Sequence, residues 1–221
     1  PQITVVKVDD YANGWSTGPW KYGTTSMKPV YPFPSDNVPF KIAYGDNLTF
    51  ALVVYKGYDY SKLSVSANGY ARGYDSITAN TDGSTTIQYY LGYITADTRI
   101  SITGIERKTI TVTYNENALD HVSNLPAPQT ANYYILGDGN NTNFINQVPV
   151  RNGYTFLGWA LSGAATTPDY TIEDIKNPGV EIPFTADTTV YAIWEAKALT
   201  AELLISDEYV NEKDLSSQLS H

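Results

Sequence analysis

The chain has 221 residues, a net charge of −9 at pH 7 and no cysteine. The missing cysteines exclude disulfides, thiol catalysis and zinc sites built from cysteine, and the acidic balance argues against a nucleic-acid partner, because phosphates would be repelled on average. No apolar run reaches the roughly 18 to 20 residues that a membrane-spanning helix needs, so we expect the protein not to span a membrane.

Strands dominate the predicted secondary structure. Alternation of apolar and polar residues predicts six strands between residues 3 and 114. These are residues 3–8, 48–55, 62–67, 84–91, 99–105 and 109–114. The 19 tyrosines lie among many threonines, valines and isoleucines, which favour a pleated, half-buried surface. Helical periodicity is nearly absent, so the predicted fold class is mainly β.

Residues 11–40 interrupt this pattern between the first two predicted strands. They are rich in Gly, Pro, Ser and aromatic residues, and a long stretch without periodicity is usually a functional loop or a linker. If Trp15, Trp20, Tyr22 and Tyr31 are exposed, their rings would form a platform for a sugar or a partner chain. The alternative interpretation is that the segment folds over an open sheet face and buries its own rings.

Two sequence elements recur in the same order along the chain. A Gly-Tyr pair at 57–58 is followed by Thr-Ala-Asp-Thr at 95–98, and a second Gly-Tyr pair at 153–154 is followed by the same tetrapeptide at 185–188. The repeat predicts two tandem small β domains with a boundary near residue 108. The domains are residues 1–107, which include the aromatic and proline-rich insertion at 11–40, and residues 108–197, and they are followed by a C-terminal extension at 198–221.

Asp97 and Asp187 stand at the same position of the two tetrapeptides, at the entrance to a strand. An aspartate at such a position can accept backbone N–H bonds and fix the turn. A role as a ligand or an acid would need a second carboxylate or a histidine at a suitable spacing. Since none stands there, we predict a structural role for both aspartates.

The stretch 153-GYTFLGW-159 concentrates three aromatic residues around two glycines. Strict alternation would place Phe156 and Trp159 on opposite sides of a strand. A bulge at Gly158, which lacks a Cβ, would return Trp159 to the side of Phe156. Small Ala192 on a later strand leaves room for this indole. The predicted structural core of the motif is Tyr154, Phe156, Gly158, Trp159, Ala192 and Trp194.

One short helix and an undetermined tail complete the prediction. Thr171 and Asp174 have the spacing of a capping box and predict a helix over 171–176, which the Asn-Pro-Gly at 177–179 would end. The tail 197–219 fits either a partly helical segment or a solvated extension, and the sequence does not decide between them.

The inventory of catalytic residues is poor. His121 lies beside Asp120 in a predicted loop, whereas a triad or a metal site needs groups that converge from several segments. The loop 138-DGNNTN-143 has oxygen-bearing residues at alternating positions, as a calcium loop does, but Pro149 stands where such a loop has its glutamate. We therefore predict no enzyme, no metal and no cofactor, and a polar hairpin tip at 138–143.

The second repeat resembles the bacterial internalin B-repeat family. The similarity rests on 110-ITVTYN-115, 126-PAPQ-129, the GYTFxGW pattern and 186-ADTTVYAIW-194, which follow one another in the order of that family. The first repeat is similar to divergent relatives, because it keeps 95-TADTRISITG-104 but lacks the Gly-Trp step and the final Trp. The resemblance implies compact β-grasp-like modules, strung in tandem as spacers or adhesion elements, with no catalytic residues.

The sequence thus predicts a non-enzymatic module of a secreted or cell-surface bacterial protein, associated with the cell wall. It would act as a spacer, an adhesion element or a protein-interaction element, as part of a larger multidomain chain with an unidentified protein or glycan partner. The alternative hypothesis is a carbohydrate-binding module that uses exposed aromatic residues of the segment 11–40, and burial of Trp15 and Trp20 would contradict it.

Overall fold

The computed structural model describes residues 1–7, 14–29, 34–178 and 180–198. Within these residues the chain is mainly β with little helix, which confirms the predicted fold class. The ligand-binding candidate Tyr31 lies outside the described residues, as does the predicted C-terminal extension beyond residue 198.

The strands of the N-terminal half are short except for β6 and β11. They are β1 (Gln2–Lys7), β2 (Trp15–Thr17), β3 (Lys21–Gly23), β4 (Lys28–Pro29), β5 (Phe40–Lys41), β6 (Asp46–Val54), β7 (Tyr58–Asp59), β8 (Ser64–Ala67), β9 (Tyr70–Arg72), β10 (Ser76–Ala79), β11 (Thr85–Ile94), β12 (Thr98–Thr103) and β13 (Glu106–Arg107).

These strands form two main sheets. Sheet 1 has the order β5-β1-β12-β8-β9, in which β1 and β12 are parallel and the other neighbours antiparallel. Sheet 2 has the antiparallel order β10-β11-β6-β3-β4, and β2 also pairs with β6. β2 and β3 come from the insertion 11–40, so the described part of that insertion extends sheet 2.

Sheets 1 and 2 pack face to face as a sandwich. Alternate residues of each strand point to the same face of a sheet, so one side of each sheet can be apolar throughout. Val5 and Ile100 of sheet 1 share a buried cluster with Leu48, Phe50 and Ile87 of sheet 2. Full burial of each such side chain stabilises the fold by about 1.5 to 3 kcal/mol.

The C-terminal half forms a separate sheet with its own core. Its strands are β14 (Thr109–Asn115), β15 (Val122–Ser123), β16 (Gln129–Asn132), β17 (Val150–Arg151), β18 (Tyr154–Ala160), β19 (Tyr170–Thr171) and β20 (Thr188–Ala196), and helix α1 (Ile172–Lys176) lies between β19 and β20. Sheet 3 has the order β16-β14-β20-β18-β19, and Val112, Trp159, Ile182 and Val190 lie in its buried cluster.

The predicted helix is present with the predicted cap. The Thr171 hydroxyl accepts a hydrogen bond from the backbone N–H of Asp174, and the Asp174 carboxylate accepts one from the backbone N–H of Thr171. Both bonds satisfy donors that an uncapped helix end would leave without a partner. Ile175 of α1 is buried in the cluster of sheet 3.

Sheets 1 and 3 have the same connectivity. In each, the first strand pairs in parallel with the last, the last pairs with the third, and the third pairs with the fourth. Thr98 begins β12 and Thr188 begins β20, so the repeated tetrapeptide enters the equivalent central strand in both sheets. The sequence repeat therefore corresponds to a repeated arrangement of five strands.

The two repeated aspartates make equivalent hydrogen bonds. Asp97 Oδ1 accepts a hydrogen bond from the backbone N–H of Gln2 at 2.8 Å, and Asp187 Oδ1 accepts one from the backbone N–H of Thr111 at 2.7 Å. Each donor belongs to the first strand of its sheet, next to the residue paired with Thr98 or Thr188. The predicted acceptance of backbone N–H bonds is confirmed, and the bonds tie two strands together instead of closing a local turn.

Candidate ligand-binding surface

Trp15 and Trp20 lie in the core, which corrects their assignment as ligand-binding residues. Their side chains are 1 % and 0 % exposed. Trp15 pairs with Val54, whose side chain faces the core, and Trp20 stacks on Phe50 with ring centroids 4.3 Å apart. The insertion places its rings between the sheets because β2 and β3 run along β6. The interpretation that this segment buries its own rings is the correct one for these two residues.

The other aromatic candidates of the insertion offer no exposed platform among the described residues. Tyr22 is half-buried and packs against the same cluster, because its partner across the sheet is the core residue Leu48. Tyr31 and the neighbouring Phe33 are not among the described residues.

The GYTFLGW motif forms the predicted bulge. Phe156 pairs with Trp194 and Gly158 pairs with Ile193, so Leu157 is the extra residue. Trp159 then lies opposite Ala192, both with no exposed surface, and its ring meets that of Phe156 at 5.0 Å. Gly158 has φ of +146°, a conformation that side-chain-bearing residues rarely adopt.

Tyr154 and Trp194 depart from their assignment to the core, because both are only half-buried. They lie at the ends of β18 and β20, where the Arg151 guanidinium stacks over Tyr154 with 3.6 Å to the ring centroid. Arg151 also pairs with Asp120 at 2.6 Å, and its hydrogen bond lowers the pKa of that carboxyl. These groups form a surface ion pair capped by aromatic rings.

Two exposed aromatic residues of the first half lie on the outer face of sheet 2. Tyr90 and Tyr93 of β11 are 50 % and 70 % exposed. In the register with β6, Tyr90 pairs with Thr49 and Tyr93 pairs with Asn47. Thr49 and Asn47 are two residues apart on one strand, so the two tyrosines stand on the same face about 7 Å apart.

A bulge brings these two tyrosines to one face. Tyr90 and Tyr93 are three residues apart, and regular alternation would place them on opposite faces. The pairing of β11 shifts between Tyr90 and Gly92, and Gly92 has φ of +73°. Glycine adopts this conformation without steric cost, and the extra residue restores Tyr93 to the outer side.

Polar groups surround the two rings. The Tyr90 hydroxyl donates to Oδ1 of Asn47, a residue that is 8 % exposed. Thr49 lies between Tyr90 on one neighbouring strand and Lys21 on the other, and Gln88 precedes Tyr90 on the same face. We call Tyr90, Tyr93, Asn47, Thr49 and Gln88 the tyrosine surface.

A cleft adjoins the tyrosine surface at the open edge of the sandwich. Its volume is about 200 Å³, and it is lined by Tyr70 and Arg72 of β9 and by Leu91 and Tyr93 of β11. Tyr70 is 75 % exposed. Tyr93 therefore belongs to both the outer face and the cleft.

The alternation of apolar and polar residues in 84–91 already predicts an exposed Tyr90. Tyr93 could not be placed from that pattern, because the predicted strand ended before the bulge. The signal is Gly92 inside a run of aromatic residues, the same signal that predicts the bulge at Gly158. Tyr89, in contrast, is buried and stacks on Phe50 at 5.0 Å, and burial raises the pKa of its hydroxyl to about 12.

The described residues contain no cluster of three or more histidine, aspartate or glutamate side chains that could hold a metal ion. His121 is exposed, and Asp120 is occupied by Arg151. In the former calcium candidate, the Asp138 carboxylate pairs with Arg107, and the Thr142 hydroxyl accepts from the backbone N–H of Asn132. In the part of the chain that the structure describes, no helix has the length and apolar character to cross a membrane.

Comparisons of the chain with models of known families, with curated proteins and with solved structures found no match.

Proposed function

We propose that the chain is a non-enzymatic spacer and adhesion module of a secreted or cell-surface bacterial protein. Its two β units, residues 1–107 (the first unit) and 108–197 (the second unit), would hold a binding surface at a fixed distance and orientation from the rest of a larger chain. The β-grasp-like character of the second unit, the bacterial origin and the surface location rest on the resemblance to internalin B-repeats.

The observation that carries the spacer role is the joint between the two units. Arg107 lies in β13, which pairs with β7 of the first unit. Its guanidinium donates to the carbonyl oxygen of Tyr133 at 2.8 Å and to Oδ1 of Asn141 at 2.7 Å, and it pairs with Asp138. The Arg107 and Asp138 side chains are 10 % and 11 % exposed, so the pair is largely shielded from water.

Backbone and apolar contacts reinforce the joint. Lys108 donates its N–H to the carbonyl of Gly57, and Tyr133 donates its own to the carbonyl of Lys108. Ile135 of the second unit packs against the core cluster of the first. A covalent linker alone would let two domains reorient, whereas these contacts bind the segment 133–141 to the first unit on several sides. A rigid joint is what a spacer requires.

The test is whether the two units tumble as one body. We expect backbone ¹⁵N relaxation to give a single rotational diffusion tensor for both units of the native chain. Arg107→Ala leaves the Asp138 charge buried without its partner, and breaking a buried pair in this way costs about 3 to 5 kcal/mol. The variant should therefore show two tensors with shorter correlation times.

Lys62→Ala is the matched control. Lys62 pairs with Glu106, next to Arg107, at 2.8 Å, but both side chains are mostly exposed. An exposed pair contributes little, so this variant should tumble like the native chain. Independent tumbling of the units in the native chain would refute the rigid-spacer proposal, as would unchanged tumbling of a folded Arg107→Ala variant.

A further inference from the structure

We propose that the tyrosine surface binds a neutral polysaccharide, with sugar rings stacked on Tyr90 and Tyr93. The proposed ligand is a sugar chain and not a protein. The proposed site lies on β6 and β11 and not on the insertion 11–40, whose described tryptophans are buried. This inference goes beyond the spacer role and does not depend on the rigidity of the joint.

The positions of the two exposed tyrosines fit a chain of sugars. Tyr90 and Tyr93 expose half or more of their surface, and their backbone positions lie about 7 Å apart on one face of the sheet. The face of an aromatic ring is electron-rich, and a pyranose presents polarised C–H groups on its own face. Two exposed rings on one face of a sheet can hold different sugars of one extended chain.

The neighbouring side chains supply the hydrogen bonds that a sugar needs. Hydroxyl groups both donate and accept, and amide and hydroxyl side chains do the same. Asn47 Oδ1 already accepts from Tyr90, but its Nδ2 donates to none of the described residues. Gln88 and the Thr49 hydroxyl also make no side-chain hydrogen bond within the described chain.

The bond from Tyr90 to Asn47 holds one ring in place before a ligand arrives. Asn47 is itself nearly buried in the sheet, so this anchor is well fixed. A side chain that is ordered beforehand loses less conformational entropy on binding. Tyr90 is therefore the ring that we expect to contribute most to affinity.

The charges of this face favour a neutral ligand. Among the described residues of β3, β6 and β11 that are paired on the outer face, Lys21 is the one charged residue. The chain as a whole carries a net charge of −9, which repels polyanions over a distance. An acidic polysaccharide would thus have one cation to pair with on this face, and the net negative charge of the chain would repel it.

A peptide fits this face less well. Peptides that add a strand bind to the free backbone groups of a sheet edge. β6 pairs on both sides of this region, whereas β10 pairs with β11 only from Thr85 to Gln88. A strand-adding peptide would therefore bind to the edge of β11 beyond Gln88 and not to the outer face, where the two rings stand. What the face offers is ring surface and polar side chains, which match a sugar.

Isothermal titration calorimetry on the whole chain tests the proposal. The probes are cello-, xylo-, chito- and malto-oligosaccharides, with polygalacturonate as the acidic polymer and a polyproline peptide as the alternative class of ligand. We expect at least one neutral oligosaccharide to bind. Loss of one stacking ring in Tyr90→Ala or Tyr93→Ala should weaken that binding about tenfold, and Tyr90→Phe, which keeps the ring but loses the Asn47 bond, should weaken it less.

Tyr55→Ala is the matched control, because Tyr55 is 40 % exposed but follows the far end of β6. It should bind like the native chain, and circular dichroism should show that all variants are folded. The proposal is overturned if no neutral oligosaccharide binds, if only polygalacturonate or polyproline binds, or if folded Tyr90→Ala and Tyr93→Ala variants bind as the native chain does. Relaxation measurements on the same samples keep this outcome separate from that of the spacer proposal.

Discussion

Gly158 is required at its position for two reasons, its backbone conformation and the close approach of β19, and replacement by alanine tests both together. Its φ of +146° is a strained conformation for any residue with a Cβ, which costs about 1 to 3 kcal/mol. A Cβ at this position would also overlap the carbonyl oxygen of Tyr170 and come within 2.9 Å of Thr171 Cα. Those atoms belong to the β19 backbone, which pairs with β18 at this point and cannot yield as a flexible side chain would.

The expected cost of Gly158→Ala is therefore the sum of strain and overlap. Forcing an extra carbon into a packed site typically costs about 1 to 3 kcal/mol, so the total is about 2 to 6 kcal/mol. Domains are stable by about 5 to 15 kcal/mol, so this single methyl group would remove a large part of the stability of the second unit. We expect a much lower urea midpoint for that unit, followed through NMR amide signals assigned to each half.

Gly153→Ala is the control that isolates the overlap. Gly153 has φ of +75°, and no atom lies within 4 Å of the site of its Cβ. Alanine there carries only the left-handed strain of about 1 to 2 kcal/mol. If Gly158→Ala destabilises the second unit no more than Gly153→Ala does, the close approach of β19 to β18 is not as described.

Further substitutions test the strand ties, the helix cap and the buried tyrosines. Asp187→Ala should cost about 1 kcal/mol by removing the acceptor for Thr111, and Asp187→Asn should recover part of it because the amide oxygen still accepts; urea unfolding that ranks Asn below Ala would contradict this. Thr171→Ala should destabilise the second unit by about 1 kcal/mol and Thr171→Ser by less, measured by thermal unfolding. Burial raises the pKa of both Tyr89 and Tyr114 to about 12, whereas an unfolded tyrosine titrates near 10. The folded state keeps these protons longer, so stability is full below about pH 10 and falls as pH rises toward 12; Tyr114→Phe should flatten that fall for the second unit in urea titrations, and an unchanged slope would count against it.

The strands and the Gly158 bulge were predictable because they depend on local pattern. Where one face of a sheet is buried, side chains alternate in burial, and the sequence of β14 shows this in every residue from Thr109 to Asn115. A glycine flanked by aromatic residues in such a run predicts a bulge from backbone sterics alone. The cap at Thr171 is equally local, since both of its bonds join residues three apart.

The placement of Trp15 and Trp20 could not be predicted in this way. β2 and β3 are three residues each, which is too short for alternation to reveal a buried face. Their burial follows from pairing with β6, more than twenty residues further along the chain, and from the ring of Phe50 beneath Trp20. A segment rich in Gly and Pro gives no local indication of such long-range pairing.

Comparison of the two bulges shows why core and surface could not be told apart from sequence. Gly158 and Gly92 each follow aromatic or apolar residues in a long strand, and each turns the next residue to the opposite face from the one that alternation predicts. At Gly158 this brings Trp159 against Phe156 and Tyr114 in the core. At Gly92 it brings Tyr93 beside Tyr90 on the exposed side of sheet 2. The same local geometry thus forms a core in one unit and a candidate binding surface in the other, because the outcome depends on which face of the sheet meets the rest of the molecule.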